Sequence, residues 1–139
     1  MSGDYQRYFE FICFTVITIV INVNGYSQTQ TDMNKQAYQD FLEVDAKLNA
    51  AYQRILSDYR EDSLFISNLK KTQRLWTQFR DSELAMKYPD RGTLYYGTSH
   101  SMCISNYLIE LTEKRIETLV PWVKGVEEGD MCSGSIRTY

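Results

Sequence analysis

Several polar residues accompany two aromatic residues in the stretch 73–81, which reads Gln-Arg-Leu-Trp-Thr-Gln-Phe-Arg-Asp. At helical periodicity Trp76 and Phe79 share one face, and Gln73 and Arg80 lie beside them. Two arginines and two aspartates can neutralise one another, so we predict a structural network that fixes helix register; a ligand-binding cluster is the alternative. Three helices would contribute its members, which are Asp45, Asn49, Gln73, Arg80, Asp81, Thr112 and Arg115.

His100 is the single histidine of the chain. It lacks a second zinc ligand or a nucleophile at an informative spacing, so a surface or capping position is favoured. Ser99 and Ser101 beside it form no hydrolase motif, and no glycine-rich phosphate loop is present. The acidic residues are spread along helices without a spacing that singles out an acid and base pair. We therefore predict no catalytic residues, no metal site and no cofactor, and we do not expect an enzyme.

The N-terminal segment resembles an export signal. Residues 11–23 form an apolar run shorter than the roughly 20 residues that a membrane-spanning helix needs. Gly25 and Ser27 occupy the small-residue positions of a cleavage site, which predicts a signal peptide at 1–27 and a periplasmic or secreted chain with no membrane span. Asp4 and Glu10 depart from the usual positive balance of such a segment, so a misassigned start or an uncleaved anchor stays an alternative.

Export changes the interpretation of the cysteines. Cys13 falls in the discarded segment, which leaves Cys103 and Cys132 as an isolated pair. In an oxidising compartment such a pair is more often a disulfide than a metal site, and this bond would pin the C-terminal tail at 123–139. Two free thiols are the competing interpretation.

Helical periodicity predicts an all-α fold, a three-helix antiparallel bundle with a disulfide-tethered C-terminal tail. Asp32 is a candidate cap for the first helix. A weak break at 59–63 separates the second helix, although one long helix that pairs with a second chain is an alternative to this hairpin. Pro89 ends the second helix, and Thr98 or Ser99 can cap the third, within a helical domain at 28–122. The predicted core anchors are Leu48, Tyr52, Trp76, Phe79, Leu111 and Leu119.

Composition excludes one class of partner. The 139 residues carry a formal net charge of −3, with 43% hydrophobic and 24% charged residues. Such a chain has no basic field to hold a nucleic-acid backbone, so we expect a protein partner and no nucleic acid. The sequence does not indicate an oligomeric state.

Three segments carry a resemblance to a known family: 45–52 (Asp-Ala-Lys-Leu-Asn-Ala-Ala-Tyr), the block at 73–81, and 111–119 with its Leu-Thr-Glu-Lys-Arg start. Together they resemble the LprI-type lysozyme-inhibitor family from about Met33 to Leu119. The resemblance implies a small exported helical protein and inhibition of lysozyme. Gln36 and Leu84 stand where the family often has cysteines, so those disulfides cannot form, whereas Cys103 keeps a family-like position with Cys132 as its available partner.

The irregular stretch at 88–100 is the predicted contact surface. Loops carry function more often than helices do, and arginine and tyrosine are typical interface anchors. We predict that Arg91, Tyr95, Tyr96 and His100 contact the partner, and the family resemblance implies that this partner is a lysozyme. A structural or adaptor domain of the cell envelope, with another protein partner, is the alternative function.

Overall fold

A computed structural model describes residues 29–92 and 94–139 of the chain. Three helices follow one another: α1 at Gln30–Asp58, α2 at Ser63–Lys87 and α3 at His100–Lys124. No strand occurs within these ranges, so the all-α prediction is confirmed. The predicted signal peptide at 1–27 lies outside the described residues.

The first two helices form a hairpin. Helix α1 ends at Asp58, and the four residues that follow reverse the chain before α2 begins at Ser63. The side chain of Asp62 accepts a hydrogen bond from the backbone N–H of Phe65 at 2.9 Å, which satisfies one of the donors left free at a helix start. The hairpin prediction is therefore confirmed, and the single long helix is excluded.

The start of α1 carries a reciprocal cap. Thr29 is the capping residue: its hydroxyl accepts from the backbone N–H of Asp32, and the Asp32 carboxylate accepts from the backbone N–H of Thr29. The Thr29 hydroxyl also donates to the Asp32 carboxylate at 2.7 Å, and this hydrogen bond, followed by the one from the Thr29 backbone, lowers the pKa of Asp32. Asp32 was predicted as the cap itself and is instead its partner three residues into the helix.

Helices α1 and α3 run parallel and make the main packing contact of the domain. At one end, the side chain of Asn34 donates to the backbone oxygen of Thr98, just before α3 begins. Towards the other end, Ile55 of α1 and Tyr59, the residue that caps the C-terminus of α1, join Leu119 of α3 in the buried core cluster. Helix α2 runs antiparallel to both and contacts α3 over a shorter stretch.

The core is narrow and lies mainly between α1 and α3. Leu48 and Leu119 are buried, at 2% and 3% exposed, and Trp76 packs against this cluster from α2. Tyr52 and Leu111 are half-buried. Phe79 is 53% exposed, so its placement in the core is wrong. Phe79 follows Trp76 by about 300° of helical rotation, so the two rings lie about 60° apart around the helix, and Phe79 lines a cavity between α2 and α3.

The C-terminal tail packs beside the end of α3, although not through a disulfide. The hydroxyl of Tyr59 accepts a hydrogen bond from the backbone N–H of Arg137 at 3.0 Å. The indole N–H of Trp122 donates to Ser135 at 3.1 Å, and Val126 pairs with Thr138 in an isolated parallel bridge. The tail is thus tied to both α1 and α3 by hydrogen bonds.

The predicted Cys103–Cys132 bond is absent. Both cysteines are free, and Cys103 lies in the first turn of α3, whereas Cys132 belongs to the tail at the opposite end of that helix. Cys103 and Trp122 are 19 positions apart, or about 28 Å along the helix. Ser135, three residues after Cys132, is hydrogen-bonded to Trp122, so Cys132 lies near that end of α3. A disulfide requires Cα atoms within about 7 Å, and this fold does not bring the two cysteines together.

None of the helices in the described part of the chain has the length and apolar character needed to cross a membrane.

Candidate functional site

The predicted polar network divides into two groups on either side of Trp76. On one side, the Arg80 guanidinium lies 3.8 Å from the Asp45 carboxylate, 2.9 Å from that of Asp81 and 5.4 Å from the centre of the Trp76 ring. The side-chain amide of Asn49 donates to Asp45 at 3.1 Å. The ion pair between Arg80 and Asp45 thus links α2 to α1. The Arg80 guanidinium also lies over the Trp76 ring, a position that guanidinium groups favour.

The second group links α2 to α3. The Nε of Arg115 donates to the side-chain oxygen of Gln73 at 3.1 Å, and its guanidinium lies 6.0 Å from the Trp76 ring centre. Thr112 is fully buried, and its hydroxyl donates to the backbone oxygen of Leu108 within α3. Thr112 is therefore satisfied locally, and the structure does not join it to the other network residues through a hydrogen bond.

The loop between α2 and α3 is built on an aromatic cluster. Tyr96 and His100 are stacked, with ring centres 4.3 Å apart, and Tyr88 meets both rings edge to face. The Tyr96 hydroxyl donates to the backbone oxygen of Pro89 at 2.8 Å. Tyr107 of α3 completes the cluster against Tyr88. Such pairs contribute beyond the area they bury, so the cluster holds the loop on the end of the helices.

The four predicted contact residues fall into two classes. Tyr96 and His100 are half-buried within the aromatic cluster and support the loop. Arg91 and Tyr95 are exposed, and the Arg91 guanidinium lies 5.2 Å from the centre of the Tyr95 ring. Tyr96 and His100 therefore offer less surface to a partner than Arg91 and Tyr95 do, and contact through the four residues stays a prediction.

Leu94 of the same loop is 92% exposed and was not among the predicted contact residues. A large apolar side chain in that position gains nothing from folding, because it stays in water. Its place between Arg91 and Tyr95 was visible in the sequence, but aromatic and charged residues were favoured there as interface anchors.

Two tyrosines of the cluster have altered acidity. Burial raises the pKa of Tyr88. A hydrogen bond from the Tyr107 hydroxyl to the Glu83 carboxylate, 3.0 Å long, raises the pKa of Tyr107, and burial acts in the same direction. Lys87 lies 3.6 Å from the centre of the Tyr107 ring. Both phenols therefore lose their protons only at a higher pH than an unperturbed tyrosine, whose pKa is about 10.

The described residues bring no three His, Cys, Asp or Glu side chains together as possible metal ligands. Two cavities do open between α2 and α3, of about 450 Å³ and 370 Å³, and Arg115 lines both. A smaller one of about 280 Å³ lies under the loop, beside Tyr96 and His100.

The fold and its surface define a small helical domain with an exposed loop on an aromatic base. The chain belongs to the lysozyme inhibitor LprI family, whose model matches residues 22–119. An uncharacterized protein of Rhizobium meliloti (strain 1021) is 30% identical over 111 residues, which cover 71% of this chain and 77% of that protein. No solved structure matches the chain.

Proposed function

We propose that this chain is an exported, non-enzymatic protein that binds and inhibits a lysozyme through its 88–100 loop. Membership of the lysozyme inhibitor LprI family supports the partner class. The apolar N-terminal run, with cleavage after Ser27, supports a periplasmic or secreted location. The observation that carries the contact surface is the exposed trio of Arg91, Leu94 and Tyr95 above the half-buried aromatic cluster.

The chemistry of the trio suits a lysozyme cleft. A cleft that cleaves glycosides holds two carboxyl groups, and a guanidinium can donate two parallel hydrogen bonds to one of them. Leu94 and Tyr95 would bury apolar and aromatic area around that charge, as the central residues of tight interfaces do. Residues 1–27 hold two acidic residues and one basic residue, so their removal changes the net charge of −3 to −2, which adds a weak long-range attraction to a basic enzyme.

Inhibition assays with purified residues 28–139 and lysozymes of several types test the proposal. We expect inhibition at micromolar concentration and at least a tenfold weaker effect for Arg91→Ala, Leu94→Ser and Tyr95→Ala, because such anchors contribute more than about 1.4 kcal/mol each. Met131→Ser is the matched control, since Met131 is 98% exposed but lies in the tail at the other end of α3.

Two results would count against this function. Absence of inhibition of every lysozyme type would exclude lysozyme as the partner. Inhibition that survives all three loop substitutions would keep the partner but exclude the loop as the contact.

An envelope adaptor is the second candidate, and one observation favours it. Helix α2 exposes four large apolar side chains within about 60° of its circumference. They form an apolar strip along the helix, whereas single exposed apolar residues are common on any protein surface. They are Leu64, Leu75, Phe79 and Met86. An adaptor should retain one dominant envelope protein from an extract without lysozyme, and the double substitution Leu75→Ser and Phe79→Ser should release it.

A further inference from the structure

Arg115 is a buried cation without a counter-ion among the described residues. Arg115 is only 8% exposed. No carboxylate within residues 29–92 or 94–139 forms an ion pair with its guanidinium. One guanidinium nitrogen, Nε, is bonded to Gln73, whereas the buried Nη2 has no hydrogen-bond partner. Burial lowers the pKa of the guanidinium. Charged groups in such surroundings are ordinarily paired, because desolvation alone costs several kcal/mol.

Arg115 lines the larger cavity between α2 and α3, of about 450 Å³. Its remaining walls include Leu64, Phe65 and Leu69 of α2, and Leu119 and Trp122 of α3. Trp122 follows Arg115 by seven positions, so the apolar part of the cavity extends about 10 Å along α3 from the charge. This volume falls in the range of small-ligand sites, which are mostly apolar with a few polar groups that orient the ligand.

The ligand that fits has one negative charge at one end and an apolar body at the other. A single guanidinium matches a carboxylate, whose two oxygens accept its N–H groups. An alkyl chain fills the apolar part without adding groups that need hydrogen bonds, whereas a peptide backbone would bring N–H and C=O groups that must be satisfied.

We propose that the cavity between α2 and α3 binds a single-chain amphiphile with a carboxylate head, seated with its head at Arg115 and its tail towards Trp122. The site is separate from the 88–100 loop and does not depend on lysozyme binding.

Titration of the full chain with decanoate tests the site. The two tryptophans of the chain, Trp76 and Trp122, both lie at the cavity or beside Arg115, so their fluorescence reports occupancy. We expect saturable binding below the micelle concentration and an affinity that rises about fourfold per methylene from octanoate to decanoate, since each buried methylene contributes about 0.8 kcal/mol. Decanol, which lacks the charge, should bind at least tenfold more weakly than decanoate.

Thr118 provides a matched pair of variants. It is exposed, lies one turn from Arg115 on α3 and lines both cavities. Thr118→Glu places a carboxylate beside the guanidinium, at the i, i+3 spacing that allows an ion pair. We expect this variant to melt at a higher temperature than the wild type and to bind decanoate at least tenfold more weakly, whereas Thr118→Gln should retain binding.

A second pair tests the tail. Leu64 is 72% exposed and lines the cavity, whereas Leu75 is 54% exposed on the same helix and does not. Leu64→Asp should weaken decanoate binding at least threefold, because it puts a like charge beside the alkyl chain, and Leu75→Asp should not.

Equal binding of decanol and decanoate, or equal binding by the two Thr118 variants, would overturn the proposal. So would a dimer, or a complex with an acidic amphipathic peptide, that Thr118→Glu abolishes while decanoate does not bind, since the guanidinium would then serve a protein partner.

Discussion

The Nε of Arg115 donates a hydrogen bond to the side-chain oxygen of Gln73 at 3.1 Å, and this bond joins α3 to α2 across 42 positions of sequence. Gln73→Ala would leave a buried guanidinium with no hydrogen bond from its Nε. We expect a loss of about 2 to 3 kcal/mol in the free energy of unfolding, as for a hydrogen bond to a charged group. Urea denaturation measures it.

The control for Gln73 is Gln78→Ala on the same helix, where the side chain is exposed. It should stay within about 0.5 kcal/mol of the wild type. If the two alanine variants were equally stable, the bond between Arg115 and Gln73 would contribute nothing to the packing of α2.

The position of the core predicts opposite results for two large apolar residues. Leu48→Ala should lower the free energy of unfolding by about 2 to 5 kcal/mol, because Leu48 is 2% exposed between α1 and α3. Phe79→Ala should change it by no more than about 0.5 kcal/mol, because the ring is already half in water. Chemical denaturation of both variants decides this, and a large loss for Phe79→Ala would mean that the Phe79 ring is covered in solution.

The aromatic cluster distinguishes two adjacent tyrosines. Tyr96→Phe removes the hydroxyl that donates to the backbone oxygen of Pro89, and we expect a loss of about 1 kcal/mol. Tyr95→Phe removes a hydroxyl from an exposed ring, and its thermal midpoint should equal that of the wild type. A lower midpoint for Tyr95→Phe, with none for Tyr96→Phe, would reverse the assignment of support and contact residues.

We expect the ionisation of Tyr107 to lower the stability of the protein at alkaline pH. The hydrogen bond to Glu83 raises the pKa of Tyr107 in the folded state. The folded protein therefore keeps the phenol proton at a pH near about 10, where the unfolded chain loses it. The associated stability is fully present below that pH and is lost as the pH rises through the raised folded pKa. Denaturation at several pH values above about 9 should therefore show a shallower decline for Tyr107→Phe than for the wild type.

Tyr38→Phe is the control for this pH dependence, because it removes an exposed hydroxyl from α1. It should keep the wild-type decline. A decline that is identical in Tyr107→Phe and the wild type would show that the bond to Glu83 does not form in solution.

The sequence predicted the helices because burial on one face leaves a periodic pattern, and it predicted the hairpin from the weak break at 59–63, where the structure shows that Asp62 caps α2. It could not place Phe79 and Arg80, which lie on opposite edges of the Trp76 face. The edge that faces α1 brings Arg80 to Asp45, and the other edge leaves Phe79 exposed. Which edge is covered depends on the position of the other helices, and periodicity within α2 does not contain that information.

The predicted disulfide is absent from the structure for a related reason. Counting cysteines shows which pairs are available, but a bond depends on the distance between their Cα atoms. Cys103 and Cys132 are 29 positions apart in sequence, yet most of those positions belong to one rigid rod, α3. Similarly, the inward position of Tyr96 and His100 follows from the stacking of their rings, which the loop composition did not indicate.

The tail lies so close to α3 that a Cβ atom at Gly125 would come within 2.9 Å of the Arg137 backbone oxygen and 3.0 Å of the Tyr139 ring. Tyr139 is thereby held at the end of the 25-residue α3, about 37 Å from its start, where the loop emerges. A protein immobilised on a sensor chip through a linker at Tyr139 would therefore display Arg91, Leu94 and Tyr95 away from the chip, in the orientation that a binding measurement needs.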